Sequence, residues 1–253
     1  MRLTGKRGLV IGVANEQSIA AGCARAFRTE GAELVLTYLN DKAKPHVANV
    51  AETIEATALL PLDVEDDAQF DAVFDWIAQR WGRLDFVLHS IAFCPKEDLQ
   101  ARVVNASRAG FNRAMDVSCY SLIGAARRAA PLMTSGGCLL TVSYYGAEKV
   151  IDNYNLMGPV KAALEGVTRY LAADLGGSGI RVNVLSPGPV RTRAASGISH
   201  FDALIDDAAQ RAPQHTLVSI EDVGAYAAFL VSDAARHVTG DTSYIDAGYH
   251  IMS

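Results

Sequence analysis

Tyr154 and Lys161 stand seven residues apart in the segment Asn153-Tyr154-Asn155-Leu156-Met157-Gly158-Pro159-Val160-Lys161. On a helix, seven residues at ~100° and ~1.5 Å each put two side chains roughly on one face, about 10 Å apart along the axis, and a long lysine bridges much of that gap. A phenol and an ammonium so placed suit chemistry in which Tyr–OH donates to an oxyanion while Lys⁺ lowers the phenol's pKa and holds a cofactor ribose. The same spacing also arises by chance, as an interfacial tyrosine beside a solvated lysine, so its meaning comes from the rest of the chain.

Further residues of chemical interest fall at the ends of apolar runs. Gly12-Val13-Ala14-Asn15-Glu16-Gln17-Ser18-Ile19-Ala20 follows the first run at once, where a pyrophosphate would meet the free N–H groups of a helix N-terminus. It is not GxGxxG. Gly12 can supply the tight turn, Ser18 can cap the helix and donate its hydroxyl to a phosphate, and Ala20 permits close helix–strand packing, although an ordinary βα loop has the same needs. Tyr38-Leu39-Asn40 occupies the end of the second run, where a ribose-binding acid is expected, and Lys42 and Lys44 beyond it read as a solvated helix face. Asp63-Val64 after the third run can hold an adenine edge. Ser90-Ile91-Ala92 after the fourth presents small residues where backbone passes close to a flat ring.

The elements that must position these residues are short apolar runs alternating with helical patterns. The runs are 8–11, 33–37, 58–62, 86–89, 138–142, 180–185 and 242–245; helical stretches lie near 18–30, 42–55, 66–81, 108–132, 154–175 and 220–232. Helices of that length are right-handed crossovers, so the pattern predicts an α/β fold: a doubly wound, seven-stranded parallel sheet with helices on both faces, a Rossmann fold in one domain spanning 1–253. The 253 residues, 50% hydrophobic and 20% charged, suffice for one large core. A net charge of −5 with scattered basic residues argues against a nucleic-acid partner. Cys23, Cys94, Cys119 and Cys138 lack metal-ligand spacing and read as reduced thiols, and the six histidines form no metal set, so no metal is expected. With no apolar run near 18 residues and no signal peptide, the expectation is a cytoplasmic protein that does not span a membrane.

In sequence order these pieces resemble the short-chain dehydrogenase/reductases, and within them the NADH-dependent enoyl-acyl-carrier-protein reductases, over nearly the whole length. The resemblance rests on Gly12-Val13-Ala14 with Ser18-Ile19-Ala20, His89-Ser90-Ile91-Ala92-Phe93, Ser143-Tyr144-Tyr145-Gly146-Ala147-Glu148, Asn153-Tyr154-Asn155 through Lys161, and Gly188-Pro189-Val190-Arg191-Thr192 with 194–198. The wide Tyr-x6-Lys spacing and the Ser-Tyr-x-Gly-Ala-Glu segment separate this family from other short-chain reductases. It implies catalytic roles for Tyr144, Tyr154 and Lys161: Tyr154 bonds the thioester carbonyl and Lys161 the nicotinamide ribose. It also implies an NADH/NAD site formed by Gly12, Ser18, Ile19, Leu39, Asp63, Val64, Ser90, Ile91, Ala92, Lys161, Val190 and Thr192. The substrate, an enoyl thioester on acyl carrier protein, would meet Cys94, Tyr144, Tyr154, Met157, Ala195, Ile198 and Phe201. Residues 190 to 210 would form a mobile flap. The alanine-rich stretches 121–130 and 162–173 and the family analogy imply a homotetramer.

Several positions depart from the family pattern. Leu39 replaces a usual glutamine and Ala92 a usual glycine, while Cys94 stands where a small residue lines the substrate side. Pro159 cannot donate within a helical ladder, so the regular helix should start near 155 or 156 with Pro159 in its first turn. Tyr145 and Lys149 mimic the Tyr-x3-Lys spacing of ordinary short-chain reductases but follow a strand directly, and Asp116-Val117-Ser118 lacks the active-site asparagine of those enzymes. His89 is expected to pack at a strand end and the other five histidines to lie in loops or at the surface, with Trp76 and Trp81 in a core or interface. The alternatives are a carbonyl-reducing short-chain enzyme and a dinucleotide-binding protein without turnover.

Overall fold

The computed structural model describes residues 1–192 and 201–252. Its strands are β1 (Arg7–Ile11), β2 (Glu33–Tyr38), β3 (Ala58–Pro61), β4 (Phe86–His89), β5 (Gly137–Val142), β6 (Ile180–Pro187) and β7 (Thr242–Ile245). They form one seven-stranded sheet in the order β3-β2-β1-β4-β5-β6-β7, with every pairing parallel. Parallel neighbours need long connections, and helices supply them. These are α1 (Ile19–Thr29), α2 (Lys44–Thr53), α3 (Asp67–Trp81), α4 (Lys96–Gln100), α5 (Arg108–Met115), α6 (Ser121–Ala129), α7 (Met157–Gly176), α8 (Phe201–Arg211) and α9 (Ile220–Val231).

Successive strand residues point to opposite faces, and both faces are apolar because helices cover both. Val10, Leu34, Leu36, Phe86, Leu88, Cys138 and Leu140 pack with α1, α2 and α9. Leu9, Ile11, Val35, Val87 and Leu139 pack with α3 and α6 on the other side. Trp76 and Trp81 lie on α3 with rings 6.0 Å apart, edge to face. Among the described residues no helix is long and apolar enough to cross a membrane, and no three His, Cys, Asp or Glu side chains converge as a metal set.

The helical stretch expected over 108–132 is interrupted. A π-turn at Asp116–Tyr120 separates α5 from α6, an arrangement that displaces one carbonyl from the regular ladder and frees it for a side chain. The helix expected from 154 begins at Met157. Neither α4 nor α8 stands among the expected helices: α4 is only five residues long, too short for a readable period.

Candidate active site

The order β3-β2-β1-β4 reverses direction between β1 and β4, and at such a switch point the loops leaving adjacent strands separate to open a crevice at the sheet's carboxyl edge. Gly12 leaves β1 with φ 106°, and a Cβ there would lie 2.1 Å from the Ser90 carbonyl oxygen and 3.3 Å from Ile91 Cδ1. Only glycine fits this approach. Ser18 caps α1, accepting from the Ala21 N–H at 3.4 Å while its own hydroxyl donates to the Asn15 carbonyl at 2.7 Å. That proton is therefore engaged within the turn, a difference from the expectation that it points at a phosphate. The first-turn N–H groups of Ile19 and Ala20, which have no intrahelical acceptor, remain as anion donors.

Leu39 is exposed beyond β2, as are Lys42 and Lys44, and Lys44 Nζ lies 5.4 Å from the centre of the Tyr38 ring. Asp63 and Val64 follow β3. Val64 and Ile91 pack against the same core cluster, so the β3 and β4 loops share one wall. Ala92 is exposed, and Phe93 next to it is fixed by Ser118 in the π-turn: Phe93 N–H donates to Ser118 Oγ at 2.9 Å, and Ser118 Oγ donates to the Phe93 carbonyl at 3.0 Å. Val190 and Thr192 leave β6 half-buried, and Arg191 between them ion-pairs with Asp202 in the first turn of α8.

Tyr154 lies in the turn before α7 rather than on it, so the expectation of one helix carrying both residues is corrected. Its neighbours explain the turn. Asn153 and Asn155 adopt φ 63° and 42°, a left-handed conformation that asparagine tolerates, and Asn155 Nδ2 donates to the Leu99 carbonyl in α4 at 2.8 Å. Pro159 falls in the first turn of α7, as expected. Gly146 lies beneath the phenol, since a Cβ there would come within 2.5 Å of the Tyr154 ring. Tyr144 meets Tyr154 edge to face with ring centres 5.0 Å apart.

Lys161 is 4% exposed, and its Nζ donates to the Val142 carbonyl at 2.6 Å. Burial lowers its pKa to about 8, opposed by the Glu165 and Cys119 charges. Burial raises the Tyr154 pKa above the ordinary tyrosine value, reinforced by Tyr144 and Glu165. The expected depression of the phenol pKa by Lys161 is thus overturned: desolvation dominates and the phenol keeps its proton. Tyr144 Oη is buried without a hydrogen-bond partner, an acceptor and donor that a bound polar group would satisfy. These features fit a nicotinamide dinucleotide and a carbonyl substrate: a glycine cradle, free helix N–H groups, a buried ammonium with N–H donors to spare, and an orphaned hydroxyl.

Tyr144, Cys94, Tyr154 and Met157 come together in one apolar cluster. The Cys94 thiol is raised to about 11 by burial and by Asp98, which opposes thiolate chemistry and leaves it as lining. Phe201 opens α8 half-buried; Ala195 and Ile198 lie outside the described residues. Tyr145 turns away from Lys149, packing on Tyr244, Tyr249 and His250 while Lys149 is exposed. His250, expected in a loop or at the surface, lies in the short turn after β7, half-buried, pairs with Asp246 at 2.9 Å and stacks on Tyr244 at 3.8 Å.

His89 packs at the end of β4, as expected; two features escaped the sequence, the first being its hydrogen bonds. His89 is fully buried with Nδ1 3.0 Å from Thr141 Oγ1 and Nε2 2.8 Å from Ser121 Oγ. Ser121 donates its only proton to the Val117 carbonyl at 2.6 Å, so it must accept from His89; Nε2 carries the hydrogen and Nδ1 accepts from Thr141. Glu165 is the second, 6% exposed, with Ser143 Oγ donating to its Oε1 at 2.5 Å. Its spacing of four from Lys161 is the signal that could have placed it on the inward face of α7.

A phosphate turn after the first strand of a doubly wound parallel sheet, with a Tyr/Lys pair after the fifth, defines a dinucleotide-binding oxidoreductase of the short-chain dehydrogenase/reductase class. Within that class the family profile for Enoyl-(Acyl carrier protein) reductase matches residues 12–250, and the chain belongs to that family. The enoyl-[acyl-carrier-protein] reductase [NADH] 2 of Rhizobium meliloti is 47% identical over 99% of this chain and 94% of its own length. The solved reductase of Anaplasma phagocytophilum, in complex with NAD, superposes with a TM-score of 0.96 at 46% identity, covering 100% of this chain and 97% of that one. That of Bacillus cereus, with NADP+ and indole naphthyridinone, has a TM-score of 0.97 at 44% identity, covering 100% and 99%.

Proposed function

We propose that this chain reduces the trans-2 double bond of enoyl thioesters on acyl carrier protein, using NADH, as a step of fatty acid elongation. The observation that carries the reading is the buried Tyr144–Tyr154–Lys161 group at the sheet's carboxyl edge, with one hydroxyl lacking a partner. NADH, when bound, supplies hydride to C3 of the substrate. Charge then gathers on the thioester oxygen, Tyr154, whose burial keeps its proton, donates a hydrogen bond to that oxygen, and a proton from water added at C2 converts the enolate to the saturated thioester. Tyr144 lines the acyl site beside Cys94 and Met157, with Ala195, Ile198 and Phe201 contributing from the segment 190–210, a flap over the chain.

Lys161 holds the nicotinamide ribose with the N–H groups that Val142 leaves free. Gly12, Ser18 and Ile19 surround the pyrophosphate; Leu39, Asp63 and Val64 border the adenosine. Ser90, Ile91, Ala92, Val190 and Thr192 enclose the nicotinamide. The enzyme is a cytoplasmic homotetramer in this reading. Steady-state kinetics with NADH and NADPH on a short enoyl thioester test it. A higher kcat/KM for NADH is expected, because Tyr38-Leu39-Asn40 at the end of β2 offers no guanidinium to pair with a 2′-phosphate. A preference for NADPH would overturn the assignment and make Lys42 or Lys44 a ligand.

A further inference from the structure

We infer that Glu165 is a positioning residue of the active site, setting both the placement and the charge of Lys161. The end of β5 is gripped twice by α7. Lys161 holds the carbonyl of Val142 at 2.6 Å, and one helical turn later Glu165 accepts from the hydroxyl of Ser143, the next residue, at 2.5 Å. Tyr144, with its unpartnered hydroxyl, follows directly. The double grip fixes the register between α7 and the strand end, and hence the relation of Lys161 to the Tyr144–Tyr154 pair. A carboxylate at 6% exposure, hydrogen-bonded to a serine and facing a buried lysine, is costly unless that lysine balances it.

Among the described residues the charges around the pair are few. Glu165 faces Ser143 and Glu148 from the segment after β5, Lys161 and Arg169 on its own helix, Tyr154 from the preceding turn and Tyr244 from β7. Lys161 faces Glu165, Cys119 of the π-turn and His89 of β4. His89 is held neutral, so Glu165, its own carboxyl raised by burial against the Ser143 bond and the Arg169 and Lys161 charges, is the acid that opposes loss of the lysine's proton.

The inference rests on Lys161 binding the cofactor, and the test separates the two. NADH affinity is measured by fluorescence titration across pH 6 to 10 for the parent, Lys161→Met, Glu165→Gln and Ser143→Ala. The parent should lose affinity as Lys161 deprotonates, with its midpoint near the lysine's value of about 8. Glu165→Gln should move that midpoint to lower pH by roughly one unit, the scale of removing an adjacent opposite charge. Lys161→Met should abolish the pH dependence; if it retains the parent's affinity and profile, the reading of Lys161 itself fails. If Lys161→Met does abolish the dependence while Glu165→Gln keeps the parent midpoint, the role of Glu165 is refuted. Should Glu165→Gln not fold, Ser143→Ala decides by placement alone, since both charges remain: a several-fold weaker NADH affinity at pH 7 supports the double grip, and parent affinity refutes it.

Discussion

Tyr154 is the residue on which the chemistry turns, and its environment specifies its role. A buried phenol whose pKa is pushed up cannot act as an ionised base, so it works by donating a hydrogen bond. Tyr154→Phe keeps the ring against Gly146 and Tyr144 while deleting the donor. NADH affinity and fold should survive while kcat falls by ~10²-fold, the scale of losing one oxyanion donor. Tyr144→Phe should cost less, because that hydroxyl is placed beside the acyl group. Parent turnover by Tyr154→Phe alongside an inactive Tyr144→Phe would reverse the two assignments.

At the scale of elements, the site depends on two backbone devices. The first is the turn before α7, where Asn155 combines a left-handed φ with a bond to the α4 carbonyl of Leu99. Asn155→Val should destabilise the fold by about 1–3 kcal/mol, since a β-branched residue resists that conformation. Urea unfolding measures it, and an unchanged midpoint would contradict the strain argument. The second is the π-turn latched by His89 through Ser121. Burial, with Lys161 nearby, holds the His89 pKa near about 3, against about 6.5 when unfolded. The folded-state pKa is depressed, so this contribution is complete above pH 6.5 and drains away as the pH falls toward 3, at up to about 1.4 kcal/mol per unit. His89→Gln should therefore show a shallower loss of stability between pH 6 and 4 than the parent, and an identical slope would place the acid sensitivity elsewhere.

The sequence carried the seven strands because each is a short run, and the inner five, β2, β1, β4, β5 and β6, are apolar and buried on both faces, a signal that does not depend on distant contacts. It carried Gly12, Ser90 and Lys161 because their positions follow from strand ends and helix spacing. The start of α7 was displaced by two asparagines whose effect is conformational, not periodic. The π-turn, α4 and the Glu165–Ser143 contact had no local signature: each exists because a partner from elsewhere in the chain completes it. The direction of the Tyr154 pKa shift was inaccessible for the same reason, since desolvation is set by how the rings of Tyr144 and Tyr154 pack, not by which residues are seven apart.

For the whole molecule, the parallel sheet brings all seven strand ends to one edge, where the turns after β1, β4, β5 and β6 carry Gly12, Ser90, Tyr144 and Val190. The segment 190–210 leads from that edge and includes most of α8, and Arg191 pairs with Asp202 within it. Hydrogen exchange in 190–210 should slow when NADH and an acyl-site ligand bind together, and equal, strong protection with and without ligands would refute a flap.

The central claim is that the assembled edge reduces a carbon–carbon double bond and not a ketone. NADH oxidation by the purified protein, followed with matched trans-2-enoyl and 3-oxoacyl thioesters of one chain length, tests it most directly. The account predicts rapid turnover of the enoyl thioester and no oxidation above background with the 3-oxoacyl thioester. The opposite preference, or bound NADH that neither substrate oxidises, would contradict it.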